Sequence, residues 1–163
     1  MITGATGYKV YRAEYTNGKW TGWKSVKTIT KGSTVSWTDT KAKSGVKYKY
    51  TVKAVNGKTG STYKSSSSLL YLAQPKVAVK ALSNGIKVAW VQSTGATSYT
   101  IYRSEYNTKT KKWSSWKSIK TAKSTSKSYT DKSAKKGVKY RYTVKAVNGK
   151  TASTYKASSS VKR

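Results

Sequence analysis

The sequence predicts an all-β chain of two tandem antiparallel sandwiches, spanning residues 1–71 and 72–163. An internal repeat and a strict alternation inside it carry that reading. GVKYKYTVKAVNGKT at 45–59 returns as GVKYRYTVKAVNGKT at 137–151, with the single change of Lys49 to Arg141. Within the repeat, Tyr48, Tyr50, Val52 and Ala54 alternate with Lys47, Lys49, Thr51 and Lys53. Tyr140, Tyr142, Val144 and Ala146 alternate in the same way with Lys139, Arg141, Thr143 and Lys145. A period of two puts each set on its own face of a strand. The apolar set is expected in the core, and the cations, about 6.5–7 Å apart along the strand, on the opposite face.

The other elements follow in chain order. TGATGYKVYRAEY (3–15) matches TGATSYTIYRSEY (94–106), and WTGWKSVKT (20–28) matches WSSWKSIKT (113–121). Both pairs read as strands, because aromatic and β-branched residues fit a pleated, half-buried surface. Trp37 with Asp39 corresponds to Tyr129 with Asp131. NGK at 56–58 and 148–150 closes a hairpin after each long strand, since Asn-Gly is a strong hairpin signal. STYK at 61–64 recurs at 153–156. Only the second unit begins with two further strands, PKVAVKAL and GIKVAW. Short strands between Ser, Thr, Gly and Asn punctuation describe a sandwich, and no helical period interrupts them.

On these residues the second unit resembles a fibronectin type III domain. Pro75 opens the first strand, GIKVAW ends the second at Trp90, SYTIYR is the third and YRYTVKAVN the sixth. Tyr140, Val144, Ala146 and Asn148 are similar to the family's Tyr-x3-Val-x-Ala-x-Asn pattern. The resemblance implies that Tyr140 is the tyrosine-corner residue and Trp90 the core tryptophan. The alternation itself gives the further core positions Tyr48, Tyr50, Tyr142, Val52 and Val144. The first unit starts at the equivalent of the third strand, so it is expected to lack its first two strands. Such a unit exposes apolar core and an unpaired edge. Either the chain is a piece of a longer protein or another chain supplies the strands.

Composition narrows the chemistry. Cysteine and histidine are both absent, which removes disulfides, thiol nucleophiles, imidazole bases and the commonest metal ligands. The four acids, Glu14, Asp39, Glu105 and Asp131, fall at two equivalent positions in each unit. Turn and strand-end hydrogen bonds are expected of the aspartates, and lysine partners of the glutamates. No catalytic residue, metal site or cofactor is therefore expected. No apolar run approaches the roughly 20 residues of a membrane-spanning helix. The N-terminal stretch has no apolar signal core, so any export signal lies outside this chain.

The net charge is +30 and the cations are overwhelmingly lysine, with arginine only at 12, 103, 141 and 163. That excess is far beyond the roughly 2–8 charges that keep a small domain soluble. Two readings stand: a solvated face that blocks edge association with no specific partner, or an anionic partner, a cell-wall polymer or acidic polysaccharide, met by Lys47, Lys49, Lys53, Lys139, Arg141 and Lys145. Nucleic acid is less favoured, for want of arginine and of a reading motif. Trp20 with Trp23 and Trp113 with Trp116 raise an aromatic contact, for which Trp23 and Trp116 are the candidates. Residues three apart on a regular strand face opposite ways, so one of each pair is expected in the core. The lysine-rich, cysteine-free form of the resemblance is similar to copies in bacterial surface proteins and secreted enzymes. It implies a non-catalytic extracellular or cell-surface module that spaces, displays or adheres, with neighbouring copies or other domains of the parent protein as further partners. Rival readings are an accessory region of a larger secreted enzyme and a filament or sheath subunit completed by a neighbour's strands.

Overall fold

The computed structural model describes residues 2–163 and is entirely strand and loop over that span. The chain divides into two compact units, one ending at Tyr71 and the other beginning at Leu72. The first unit holds β1 (Gly7–Thr16), β2 (Lys19–Trp20), β3 (Lys24–Ile29), β4 (Lys47–Asn56), β5 (Thr59–Gly60) and β6 (Leu69–Leu70). These form one antiparallel sheet in the order β2-β1-β4-β5, with β3 also paired to β1 and β6 to β4. The second unit holds β7 (Val77–Leu82), β8 (Gly85–Trp90), β9 (Ser98–Asn107), β10 (Lys112–Trp113), β11 (Lys117–Lys123), β12 (Ser128–Asp131), β13 (Lys139–Asn148), β14 (Thr151–Ala152) and β15 (Val161–Lys162). It repeats the large sheet as β10-β9-β13-β14 and adds a three-stranded sheet, β12-β8-β7.

Local sequence explains the turns. Asn17 and Gly18 are the two central residues between β1 and β2, both with positive φ, at 50° and 77°. That pair is the requirement of a type I′ hairpin. After β4 and β13 the turn sits one residue further along than the Asn-Gly signal suggests. Its central residues are Gly57–Lys58 and Gly149–Lys150, with only the glycines at positive φ, 58° and 55°. A glycine first and an ordinary residue second is the type II′ pattern.

In the second unit the two sheets enclose a core of Ile86, Val88 and Trp90 from β8 against Tyr99, Ile101, Tyr142 and Val144 from the large sheet. The Trp90 and Tyr99 rings pack 5.5 Å apart. Tyr140 is fully buried, and its hydroxyl oxygen accepts the Lys135 N–H at 3.0 Å. Tyr48 does the same with the Lys43 N–H at 2.8 Å. Each tyrosine thereby ties the start of its long strand to the preceding loop.

The first unit differs where its partner strands are lacking. Val52, expected in the core, is 49% exposed, whereas its twin Val144 is fully buried. Tyr50 is half-buried where Tyr142 is closed off. Residues 36–39, the counterpart of β12, form no strand, because β12 exists by pairing with β8, Ser128 to Ala89 through Asp131 to Ile86. The alternation that assigns Val52 inward is correct. The layer that would bury it is absent.

The twin valines therefore respond differently to truncation. Val144→Ala is expected to destabilise the second unit by about 2 kcal/mol, from lost burial and the cavity left behind. Val52→Ala is expected to change the first unit by less than about 0.5 kcal/mol, as at an exposed site. Urea denaturation of the two variants measures this, and equal losses would show that Val52 is covered.

Candidate functional site

Each unit carries two polar constructions on its large sheet, one on either face. On the inner face a buried carboxylate fastens sheet to sheet. Asp131 ends β12, and its Oδ2 accepts from Arg103 Nη1 on β9 at 2.9 Å and from the Tyr142 hydroxyl on β13 at 2.9 Å. Its Oδ1 accepts from the Ser133 hydroxyl at 2.7 Å and the Ser133 N–H at 3.0 Å. Burial pushes the Asp131 carboxyl upward, but the bonds from Ser133, Arg103 and Tyr142 outweigh it and hold the group below its ordinary value. The Tyr142 phenol moves the other way, raised by burial and by the carboxylate it donates to.

The first unit repeats the arrangement. Arg12 Nη1 donates to Asp39 Oδ2 at 2.7 Å, the Tyr50 hydroxyl at 2.9 Å and the Lys41 N–H to Oδ1 at 3.0 Å. The segment around Asp39 thus stays on the sheet without a strand partner of its own. Glu14 pairs with Arg12 and not with a lysine. A charged arginine partner two residues away on the same strand face outcompetes the flexible lysines. Among the described residues no three of His, Cys, Asp and Glu gather closely enough to hold a metal ion.

On the outer face the cations of the central strand lie among aromatic rings. In the second unit, Lys139 Nζ is 5.6 Å from the Tyr106 ring centre, and Tyr106 packs on Trp113 at 5.1 Å. The Arg141 guanidinium sits between two indoles, 4.6 Å from Trp113 and 5.0 Å from Trp116. Trp116 meets Tyr155 edge-on at 6.0 Å, and Lys145 closes the row at 4.9 Å from Tyr155 and 5.6 Å from Tyr102. Cations and aromatic pairs alternate along the whole strand face. The cross-strand neighbour of Arg141 is Ser104, small and completely buried beneath this layer.

The first unit builds the same ladder with a gap at its centre. Lys47 lies 5.8 Å from Tyr15, Lys49 4.6 Å from Trp20, and Lys53 4.8 Å from Tyr63 and 6.0 Å from Tyr11. Trp23 packs on Tyr63 at 6.4 Å. Lys49 meets one indole where Arg141 meets two. A planar guanidinium has two faces to stack and gives up water more readily than an ammonium, so the one change in the repeat falls where it matters.

Both tryptophans of each pair lie on this outer face, and neither enters the core. The opposite-facing expectation fails because Thr21–Trp23 and Ser114–Trp116 are not strand. There, a side-chain hydroxyl replaces one bond of the backbone ladder, while the Thr21 and Ser114 N–H groups still donate to the Glu14 and Glu105 carbonyls at 2.8 Å. Thr21 Oγ1 accepts the Glu14 N–H and Ser114 Oγ accepts the Glu105 N–H, both at 3.0 Å. Serines do likewise on the other edge, Ser61 and Ser66 for Ala54 and Tyr50, Ser153 and Ser158 for Ala146 and Tyr142. These irregular edges aim Trp23, Tyr63, Trp116 and Tyr155 over the sheet. The Thr-Gly and Ser-Ser fillers and the serine-rich tails were the available sequence signal. Of the six cations expected to face an anionic polymer, each stands over at least one ring. Trp23 and Trp116, expected to contact a ligand, contact Tyr63 and Tyr155.

The first unit also has an open apolar groove of about 570 Å³, lined by Tyr8, Val10, Trp37, Tyr50, Val52 and Tyr71 among others.

Compared with known proteins, no family model matches the chain and no curated protein matches it. Solved structures do. A two-domain fibronectin type III segment of chicken tenascin is similar over 100% of this chain and 87% of its own, at 14% identity and a TM-score of 0.52. The FN1–FN3 segment of chicken CNTN1 matches at 19% identity and a TM-score of 0.43, covering 98% of this chain and 54% of that one. At such identities the likeness is one of fold. The chain is two tandem fibronectin type III-like units, the first without its opening pair of strands.

Two outcomes are expected of these constructions. Exchanging the central cations, Arg141→Lys should weaken the second unit and Lys49→Arg strengthen the first, each by about 0.5–1 kcal/mol, the worth of a partly exposed cation–aromatic contact. Thermal denaturation reads both signs. For the carboxylate, a folded pKa below the unfolded one means the unfolded chain binds more protons in acid. The stabilisation is full above the ordinary value near 3.8 and drains away as pH falls through the depressed one. Asp131→Asn should abolish that acid slope, in a comparison of urea midpoints between pH 6 and 2.

Proposed function

We propose that the chain is a non-catalytic structural and adhesive module of an extracellular protein, a spacer or display unit drawn electrostatically to anionic surface polymers. The observation that supports it most is the serial use of one sandwich with both polar constructions rebuilt in each copy. Asp39 and Asp131 are kept ionised by arginine and tyrosine, a state suited to fastening sheets and not to moving protons. The tenascin segment similar in fold is likewise a two-domain tandem. An extracellular setting agrees with the resemblance to lysine-rich, cysteine-free copies in bacterial surface proteins.

The ladder changes which cations meet the polymer. Lys49, Lys53, Arg141 and Lys145 are partly covered by rings, while Lys24, Lys27, Lys80, Lys87, Lys117 and Lys120 are exposed on other strands. Attraction is therefore spread over the surface and is screened beyond about 8 Å at physiological salt.

Retention on a dextran sulfate column, eluted with sodium chloride, separates the possibilities. Replacing those six exposed lysines by glutamine should lower the eluting salt concentration clearly, whereas Arg141→Lys, which keeps its charge, should leave it unchanged. Unaltered retention of the six-lysine variant would remove diffuse attraction, and a loss with Arg141→Lys would place a specific site on the ladder.

A further inference from the structure

Four of the five asparagines are followed by glycine, at 17, 56, 84 and 148. In such a pair the glycine nitrogen can attack the asparagine side chain, because no Cβ shields it and the backbone turns freely. Two of the pairs are twins, and the structure treats them differently. Asn56 and Asn148 each end a long strand and pair with Thr59 and Thr151, which leaves Gly57 and Gly149 in the turn, outside the ladder. The surroundings also agree. Thr6 Oγ1 donates to the Val55 carbonyl and Thr97 Oγ1 to the Val147 carbonyl, both at 3.1 Å. The asparagine side chains do not agree. Asn148 is half-buried, and its Nδ2 donates to the Gly95 carbonyl at 2.7 Å. Asn56 is exposed, and among the described residues no hydrogen bond ties its amide to Gly4, the counterpart of Gly95.

We propose that Asn56 is a site of spontaneous covalent modification, converting to isoaspartate or aspartate through a cyclic imide, and that the contact with Gly95 spares Asn148. Hydroxide takes the Gly57 amide proton, and the nitrogen attacks Asn56 Cγ. The bond from Cγ to Nδ2 then breaks, and Nδ2 takes a proton from water and leaves as ammonia. Water opens the ring at one of its two carbonyl carbons, breaking that carbon's bond to the Gly57 nitrogen. Opening at the main-chain carbonyl gives isoaspartate, and opening at Cγ gives aspartate. Ring closure needs rotation about the Asn56 Cα–C bond to bring nitrogen onto Cγ. That disturbs only the short pairing of β4 with β5, at the end of a hairpin where local opening is easy. The pairing of β13 with β14 is equally short, but Asn148 must also give up its bond to Gly95. One such bond corresponds to a reaction about five- to tenfold slower. Isoaspartate adds a carbon to the main chain at the last ladder pair, and either product sets a carboxylate near Lys58 in a chain with only four acids. The modification is independent of the polymer attraction proposed above.

The test keeps the whole folded chain in mildly alkaline heavy-oxygen water, beside a sample unfolded in concentrated urea. Trypsin would release the same AVNGK peptide from both units, so chymotrypsin is used instead. Cleavage after tyrosine gives residues 51–63 and 143–155, which differ at Gly60 and Ala152. Mass spectrometry counts one heavy oxygen for each converted residue. In the folded chain Asn56 should convert about five- to tenfold faster than Asn148, and in urea the two rates should be equal. Equal rates in the folded chain, or faster conversion at Asn148, would overturn the proposal. So would an Asn56 that stays intact in the folded chain while the urea sample converts. A difference that persists in urea would assign it to the neighbouring sequence and remove the protective role of the Gly95 contact.

Discussion

The large sheet of each unit depends on a central strand whose outward face carries three cations among aromatic rings, and in the second unit that strand is covered on its inner face as well. Inward, β4 and β13 present tyrosine, valine and alanine. Outward they present lysine and arginine, of which Lys49, Lys53, Arg141 and Lys145 are partly covered by tyrosine and tryptophan. Taking a cation out of water is costly unless something replaces its hydration. Here the ring faces do so, at about 0.5–2 kcal/mol per contact depending on desolvation. The threonine between the cations, Thr51 or Thr143, and the small residue opposite the central cation, Ala13 across from Lys49 or Ser104 across from Arg141, are buried beneath this layer. The ladder acts as a second, shallow core on a face that is usually left to water.

That arrangement accounts for several oddities at once. Tryptophan and tyrosine replace phenylalanine entirely, because their negative ring faces meet cations while their polar edges reach solvent. The edges beside the ladder abandon regular strand structure for serine and threonine hydroxyl bonds, which frees their aromatic residues to lean across the sheet. The inner face has the opposite economy, one carboxylate shared by an arginine and a tyrosine. It is buried deeply where the second sheet closes over it and less so where that sheet is lacking.

Much of the fold was legible because it rests on short-range rules. Period two named the inward and outward sets on β4 and β13, and duplication named the units. The missing strand pair could be read because the second unit supplied the standard. What the sequence could not show was distance. Nothing in the spacing of Trp113 and Trp116 says that Arg141 lies between them, since Trp113 on β10 and Trp116 in the segment after it meet Arg141 on β13 only through folding. The regular-strand rule sent one tryptophan inward because it took Ser114–Trp116 for strand, and side-chain hydroxyls there satisfy the backbone another way. Val52 was assigned inward correctly and buried wrongly, because burial belongs to the partner layer and not to the residue.

The most direct measurement is the proton chemical shift of the Arg141 side chain in the intact chain, compared with that of Arg163. A guanidinium between two indole faces lies in their ring-current shielding, so its δ-methylene and Nε–H resonances should stand well upfield of ordinary arginine values and return toward them in Trp116→Ala. Ordinary shifts for Arg141, unaffected by Trp116→Ala, would mean that the cation is free in water and that the ladder does not form.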